Sequence, residues 1–137
     1  MLIDSNILVY AINSSSPKHV DAQKFIQGNV GKLQVAHQNI FETLRVLTHA
    51  KFPNPMKTNE AVGAVESIIK ACDIIAPDYK THRIALELIK KYKIVSNQIF
   101  DAYLAATAIS NGVDTLASDN IKDLQKFSEI TVVNPFS

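Results

Sequence analysis

Apolar residues follow two patterns along this chain, short runs and longer stretches with helical spacing. The clearest helical stretch, residues 38–50, places Ile40, Phe41, Leu44 and Leu47 on one face. The short apolar runs are typical of buried strands, which need only a few residues. The predicted strands are 2–3, 33–36, 74–76, 115–117 and 130–133, and the predicted helices are 7–12, 17–28, 38–50, 58–71, 84–93, 98–111 and 121–127.

Prolines and glycines mark the ends of several of these elements. Ser16-Pro17 places a cap residue before a proline at the first position of a helix, and Gly112 ends another helix. Short strands that alternate with helices are typical of a layered α/β domain. The pattern therefore predicts a three-layer α/β/α sandwich with a mainly parallel central sheet. The length of 137 residues fits a single domain over residues 1–137.

Composition narrows the class of protein. The chain is 47% hydrophobic and has a net charge of +1, which excludes a disordered tail and gives no strong electrostatic reason for a nucleic-acid or membrane partner. Cys72 is the only cysteine, so an intrachain disulfide is excluded. The N-terminus lacks the basic start of a signal peptide, and no apolar run approaches the roughly 20 residues of a membrane span. These features predict a cytoplasmic protein that does not enter membranes.

Four carboxylates stand near the predicted ends of strands or the starts of helices. Asp4 follows the first strand, Asp119 closely follows strand 115–117, and Glu42 and Asp101 lie in the first turns of helices. Ligands of open α/β sheets bind outside the carboxyl ends of the strands. Each acid alone also has an ordinary structural explanation, as a helix cap or as a charge that compensates the helix dipole.

Together the four acids would repel one another. Two carboxylates about 5 Å apart at an effective dielectric constant near 20 repel by about 3 kcal/mol, so a cluster of four needs a cation. Hard oxygen ligands suit Mg²⁺ or Mn²⁺, which also bind phosphate oxygens. Such an ion can activate water and stabilise the displaced oxygen in phosphodiester hydrolysis. Sequence spacing does not by itself bring these acids together, because that step depends on the fold.

Four segments carry a resemblance to a known family. MLIDSNILVY at residues 1–10 looks like the opening of a PIN domain, in which the first strand ends in an Asp. FETLRVLT at 41–48, followed by FPNP at 52–55, is similar to the second acidic motif of VapC-type toxins. FDAYLAATA at 100–108 resembles the third motif, and LASD at 116–119 with Asp123-Leu124 resembles the fourth. The resemblance runs from residue 1 to about 135, with the motifs in order.

The resemblance implies a PIN-like fold and an Mg²⁺- or Mn²⁺-dependent endoribonuclease, the toxin of a type II toxin–antitoxin pair. Its partners would be an RNA substrate, a cognate antitoxin and a second copy of the chain in a homodimer. The antitoxin would occupy a groove near the acids, walled by helices 38–50 and 58–71. The implied main metal ligands are Asp4 and Asp101. Glu42 would complete the cluster and orient water, and Asp119 would hold a second or weakly bound metal. Asn6 and Ser118 would support the site by hydrogen bonding, and Asn120 is a third supporting residue.

The fourth motif departs from the usual family pattern. Asn120-Ile121-Lys122 lengthens the stretch before Asp123, and Leu124 stands where Phe is usual. This leaves open whether Asp119, Asn120 or Asp123 fills the fourth position of the site. Asp119 is favoured because it retains the charge.

Two other functions stay open. A phosphatase could use Asp4 as its nucleophile, although the haloacid type needs a second Asp two residues later, where this chain has Asn6. A catalytically silent RNA-binding module could keep the same fold. If a metal ion neutralises the four acids, nine acidic groups remain against fourteen basic ones, a surplus of five positive charges. Near-neutrality is then compatible with an RNA partner.

Overall fold

A five-stranded sheet runs through the residues that the computed structural model describes, which are residues 1–136. Its strand order is β3-β2-β1-β4-β5, and each of the four neighbouring pairs is parallel. The prediction of a mainly parallel sheet is therefore confirmed. The strands are β1 (Leu2–Ile3), β2 (Gln34–Ala36), β3 (Asp73–Ile75), β4 (Thr115–Ala117) and β5 (Thr131–Val133).

The helices lie close to their predicted positions, with shifts of a few residues at the ends. They are α1 (Ser5–Ile12), α2 (His19–Gly28), α3 (His37–Thr48), α4 (Thr58–Ile69), α5 (Thr81–Tyr92), α6 (Gln98–Ser110) and α7 (Ile121–Leu124). The largest shift at a helix start is in α5, which begins at Thr81 rather than at 84. Its first turn is largely polar, so the spacing of apolar residues does not indicate it. Within residues 1–136, no helix combines the length and the apolarity that a membrane crossing requires.

Successive strand residues point to opposite faces of the sheet, and each face is covered by helices. Leu2 and Leu116 pack with residues of α5 and α6 in one buried cluster. Their neighbours Ile3 and Ala117 pack with residues of α1 and α2 in another. The two clusters make three layers, so the predicted α/β/α sandwich is confirmed.

The order in which strands are added to the sheet reverses at β1. After β1 the chain passes through α1 and α2 to β2, and then through α3 and α4 to β3. It next crosses to the other face, where α5 and α6 lead to β4 on the opposite side of β1. In open α/β sheets, such a reversal leaves a crevice at the carboxyl ends of the strands, where ligands bind. Here the crevice lies between β1 and β4.

Candidate active site

Asp4 lies at this crevice and joins β1 to α1. It is the N-cap of α1, where its Oδ1 accepts a hydrogen bond from the Ser5 amide at 2.8 Å. Its Oδ2 accepts from Ser118 Oγ at 2.7 Å, and Asn39 Nδ2 lies 3.4 Å from Oδ1. Asp4 is only 8% exposed, and burial raises its pKa although these donors act in the opposite direction. The carboxylate is thus held in place while its charge stays incompletely compensated.

The three residues predicted to support the site surround Asp4. Asn6 Nδ2 lies 3.2 Å from Ser118 Oγ and 3.5 Å from Asp4 Oδ2. Its Oδ1 accepts from the Asp119 amide at 3.2 Å. Asn120 contributes its backbone amide, which donates to Ser118 Oγ at 2.9 Å. These bonds tie the segment after β4 to the segment after β1.

Glu42 and Asp101 are coupled to Asp4 by charge. Ser5 Oγ lies 3.5 Å from Asp4 Oδ1 and 3.5 Å from Glu42 Oε2, so its one proton can be donated to either acid. Burial raises the pKa of Glu42, and the charge of Asp4 raises it further. The pKa of Asp101 rises to about 6, first through burial and then through the charges of Asp123, Asp4 and Glu42. Three of the four predicted acids therefore form one electrostatic set.

Asp119, the fourth predicted acid, has other partners. Its Oδ2 accepts from Lys18 Nζ at 2.5 Å and from Tyr10 Oη at 2.8 Å. The hydrogen bond from Lys18 lowers the pKa of Asp119, the opposite direction from the shifts of Asp4, Glu42 and Asp101. The structure therefore does not bring Asp119 into the set of repelling acids.

The other two candidates for the fourth position lie in different settings. Asp123 supplies the largest of the charges that raise the pKa of Asp101. Its Oδ1 lies 3.5 Å from Gln98 Nε2, and Gln98 Oε1 accepts from Lys126 Nζ at 2.6 Å. Asn120 occupies the N-cap position of α7. By charge, Asp123 is the candidate closest in character to the three coupled acids.

A pocket of about 690 Å³ opens beside Glu42 and Asp101. Helices α3 and α6 form its walls, whereas the sequence predicted walls from 38–50 and 58–71. Among the described residues, none of α4 lines this pocket, and the position of the antitoxin groove stays a prediction. The pocket is lined by Gln38, Phe41, Glu42, Arg45, Asn97, Phe100 and Asp101.

The donor chemistry of this pocket fits a hard divalent cation. Asp4 raises the pKa of Glu42, and both raise the pKa of Asp101, so a bound cation would relieve the repulsion among three oxygen ligands. Gln38 adds a side-chain oxygen that is buried without a hydrogen-bond partner among the described residues. Within residues 1–136, no three acidic, His or Cys side chains are already gathered around a common point suited to a metal.

The structure adds residues that sequence reasoning missed. Asn39 is fully buried, and its Oδ1 accepts from the Ala36 amide at 3.1 Å while its amide group faces Asp4. It precedes Glu42 by three positions on α3, and this helical spacing could have indicated it. Lys18 and Tyr10 had no such signal, because their contacts with Asp119 join segments about a hundred residues apart.

The family model of the PIN domain matches residues 1–129. The chain therefore belongs to the PIN domain family, and the resemblance stated from the motifs is confirmed. It is 26% identical to the ribonuclease VapC33 of Mycobacterium tuberculosis over 96% of this chain and 95% of that protein. It is 27% identical to the ribonuclease VapC24 of the same species, over 98% of this chain and 96% of the relative.

Solved structures share the fold. A toxin–antitoxin complex from Klebsiella pneumoniae contains a chain that matches with a TM-score of 0.71 at 19% identity, over 99% of this chain and 98% of that one. At this identity the likeness shows the architecture.

Replacing Asp101 with Asn is expected to raise the free energy of unfolding in EDTA at neutral pH by about 1–2 kcal/mol, allowing for partial exposure to water. The folded pKa of about 6 lies above the ordinary value of 3.8. Protonated Asp101 favours the folded state, so the free energy of unfolding of the wild type falls as the pH rises from about 4 to 6. The Asp101→Asn variant has no carboxyl group to ionise at this position and does not show this fall. Urea denaturation across this range measures the difference.

The matched control for Asp101 is Glu66→Gln, which changes an exposed carboxylate on α4 and should alter stability by less than about 0.5 kcal/mol. An Asp101→Asn variant that is less stable than the wild type at neutral pH would contradict the proposed repulsion among the acids.

Asn39→Ala is expected to lower the free energy of unfolding by about 1–3 kcal/mol, since it leaves the buried Ala36 amide without its acceptor. Chemical denaturation measures the change, with Asn59→Ala at an exposed position of α4 as the control. Equal stability of the two variants would show that Asn39 does not stabilise the junction of β2 and α3.

Proposed function

We propose that this protein is an Mg²⁺- or Mn²⁺-dependent endoribonuclease that acts as the toxin of a type II toxin–antitoxin pair. The observation that carries the proposal is the set of Asp4, Glu42 and Asp101 at the crevice, where burial and mutual charge raise the pKa of Asp101 to about 6. Membership of the PIN domain family and the ribonuclease names of two relatives over nearly the whole chain support it.

In this proposal Asp4 and Asp101 hold the metal ion, and Glu42 completes the acidic set. A bound ion would activate a water molecule and stabilise the oxygen that leaves phosphorus. Ser5 holds Glu42 in a defined relation to Asp4 through its hydroxyl. Glu42, half-buried and with a raised pKa, is suited to orient the attacking water and accept its proton.

The surface around the acids suits RNA. Phe41 directly precedes Glu42, and Phe100 directly precedes Asp101. Both line the same pocket, and they are 66% and 61% exposed. Exposed rings of this kind stack against unpaired bases, and Arg45 in the same pocket offers a charge to phosphate. These features favour a single-stranded segment of RNA as the substrate. We accordingly place the protein in the cytoplasm, where cellular RNA is present.

We also propose a cognate antitoxin and a homodimer as partners. A toxin–antitoxin complex among the structures with this fold supports the first. A second groove, of about 490 Å³, lies between α1, α2 and α4 and has the apolar lining residues Ala11, Ile12, Ile26 and Ile68. This lining suits a protein segment better than RNA. For the homodimer, Leu86 exposes apolar surface beside a small apolar pocket between α5 and α6.

Asp4→Asn and Asp101→Asn are each expected to reduce metal-dependent RNA cleavage by about 100-fold or more, because each removes a charged ligand of the ion. Cleavage of a labelled single-stranded RNA in Mn²⁺, with EDTA as the blank, measures the loss. Glu66→Gln, at an exposed position of α4, should retain full activity.

Full activity in either Asp variant would contradict the mechanism. RNA binding without metal binding or cleavage would favour the silent RNA-binding module instead. An acyl-phosphate trapped on Asp4 would favour the phosphatase.

Expression of the wild-type chain in a bacterial host is expected to arrest growth, and Asp4→Asn should not, since growth arrest by a nuclease toxin requires cleavage. Co-expression of a small reading frame beside the gene is expected to restore growth and to co-purify with the chain. Arrest by wild type and Asp4→Asn alike would contradict a toxic activity at this site, and failure of every neighbouring frame to restore growth would contradict the antitoxin.

A further inference from the structure

The ammonium group of Lys18 lies against Asp119, just after β4. Lys18 Nζ donates to Asp119 Oδ2 at 2.5 Å, and Tyr10 Oη donates to the same oxygen at 2.8 Å. The ammonium also lies 5.1 Å from the centroid of the Tyr10 ring and 5.2 Å from that of Phe136. Two aromatic faces and one carboxylate therefore surround a single cation.

The backbone around this cation is fixed on both sides. The Lys18 amide donates to Ser16 Oγ at 3.1 Å, and its carbonyl accepts from the Ala22 amide at 2.9 Å. The rings of Tyr10 and Phe136 meet edge to face, with centroids 5.5 Å apart. Lys18 is thus held by its neighbours and does not reach Asp119 from a free loop.

The cation is connected to the acidic set through few bonds. The Asp119 amide donates to Asn6 Oδ1 at 3.2 Å, and Asn6 Nδ2 lies 3.5 Å from Asp4 Oδ2. Lys18 therefore stands on the side of Asp4 that faces β4, whereas Glu42 and Asp101 belong to α3 and α6. Asp4 therefore lies between the Lys18–Asp119 pair on one side and Glu42 and Asp101 on the other.

Asp119 does not fit a second metal ion in this chain. Asp119 Oδ2 already accepts two donors, Lys18 Nζ and Tyr10 Oη. A divalent ion binds a carboxylate oxygen at about 2.0–2.1 Å, which would force it against the ammonium on the same oxygen. Two cations in contact also repel each other.

We infer that the Lys18 ammonium takes the place of a metal ion at Asp119, so that the protein binds one divalent ion, at Asp4, Glu42 and Asp101. Lys18 and Asp119 are then positioning residues. Their pair fixes the segment that carries Ser118 and supplies a permanent charge that chelators do not remove. The inference rests on the proposed metal-dependent function for the ion at Asp4.

Titration with Mn²⁺, followed by the electron paramagnetic resonance signal of free Mn²⁺, tests this without RNA. We expect one bound ion in the wild type and one in Asp119→Asn, with dissociation constants that agree within about twofold. We expect none in Asp4→Asn. Lys18→Met, which keeps the length of the side chain and removes its charge, should bind a second ion at Asp119, and Lys18→Arg should return the count to one.

Two ions in the wild type, with one lost in Asp119→Asn, would overturn the inference and leave the proposed nuclease intact. A single ion in a folded Lys18→Met would overturn it as well. If Lys18→Met fails to fold by circular dichroism, the wild-type and Asp119→Asn counts still decide. The absence of any ion in the wild type, together with absence of RNA cleavage, would overturn the proposed function and this inference with it.

Discussion

The buried carboxylate of Asp4 is the constraint on which the rest of the site depends. A charged group in this position is unfavourable unless donors and cations surround it. The chain provides donors from three separate places, the start of α1, the start of α3 and the segment after β4, through Ser5, Asn39 and Ser118. Two of these donors also have a structural task, since Asn39 satisfies the amide of Ala36 and Ser118 accepts from Asn120. The topology of the sheet and the arrangement of the acids are consequently parts of one hydrogen-bonded unit.

Around Asp4 the negative charges fall into two groups with opposite behaviour. On the side of α3 and α6, Glu42 and Asp101 have raised pKa values because they are partly buried and lie near other acids. On the side of β4, Asp119 has a lowered pKa because Lys18 is its partner. Opposite shifts within one crevice are a common property of functional sites, where titratable groups have different tasks. The net charge of +1 conceals this division, because the total does not report where the charges lie.

Most of the architecture follows from local patterns, whereas the partners of the site do not. All five strands were predicted within a residue or two, since short apolar runs and strand-end acids are local features, and the placement of Asp4, Asn6 and Ser118 at one edge follows from the rule for parallel sheets. The partners of Asp119 could not be predicted, because Lys18 and Asp119 meet only when β1 and β4 pair. The helix that faces α3 across the pocket, α6, could not be predicted for a related reason. Amphipathic spacing shows that a helix is buried on one side, and it does not show which neighbour covers that side.

The two halves of the site are also synthesised at different times. Asp4 is synthesised well before its partner Ser118, which stands 114 positions later. Strand β1 has only two residues and acquires its β4 neighbour only after Ala117 has been made. A nascent chain that stalls on the ribosome before this point lacks the donor that holds the Asp4 carboxylate, and it also lacks Asp119 as an anchor for Lys18. Termination before this point therefore yields fragments without an assembled crevice, and the completed site requires synthesis at least as far as Asp119.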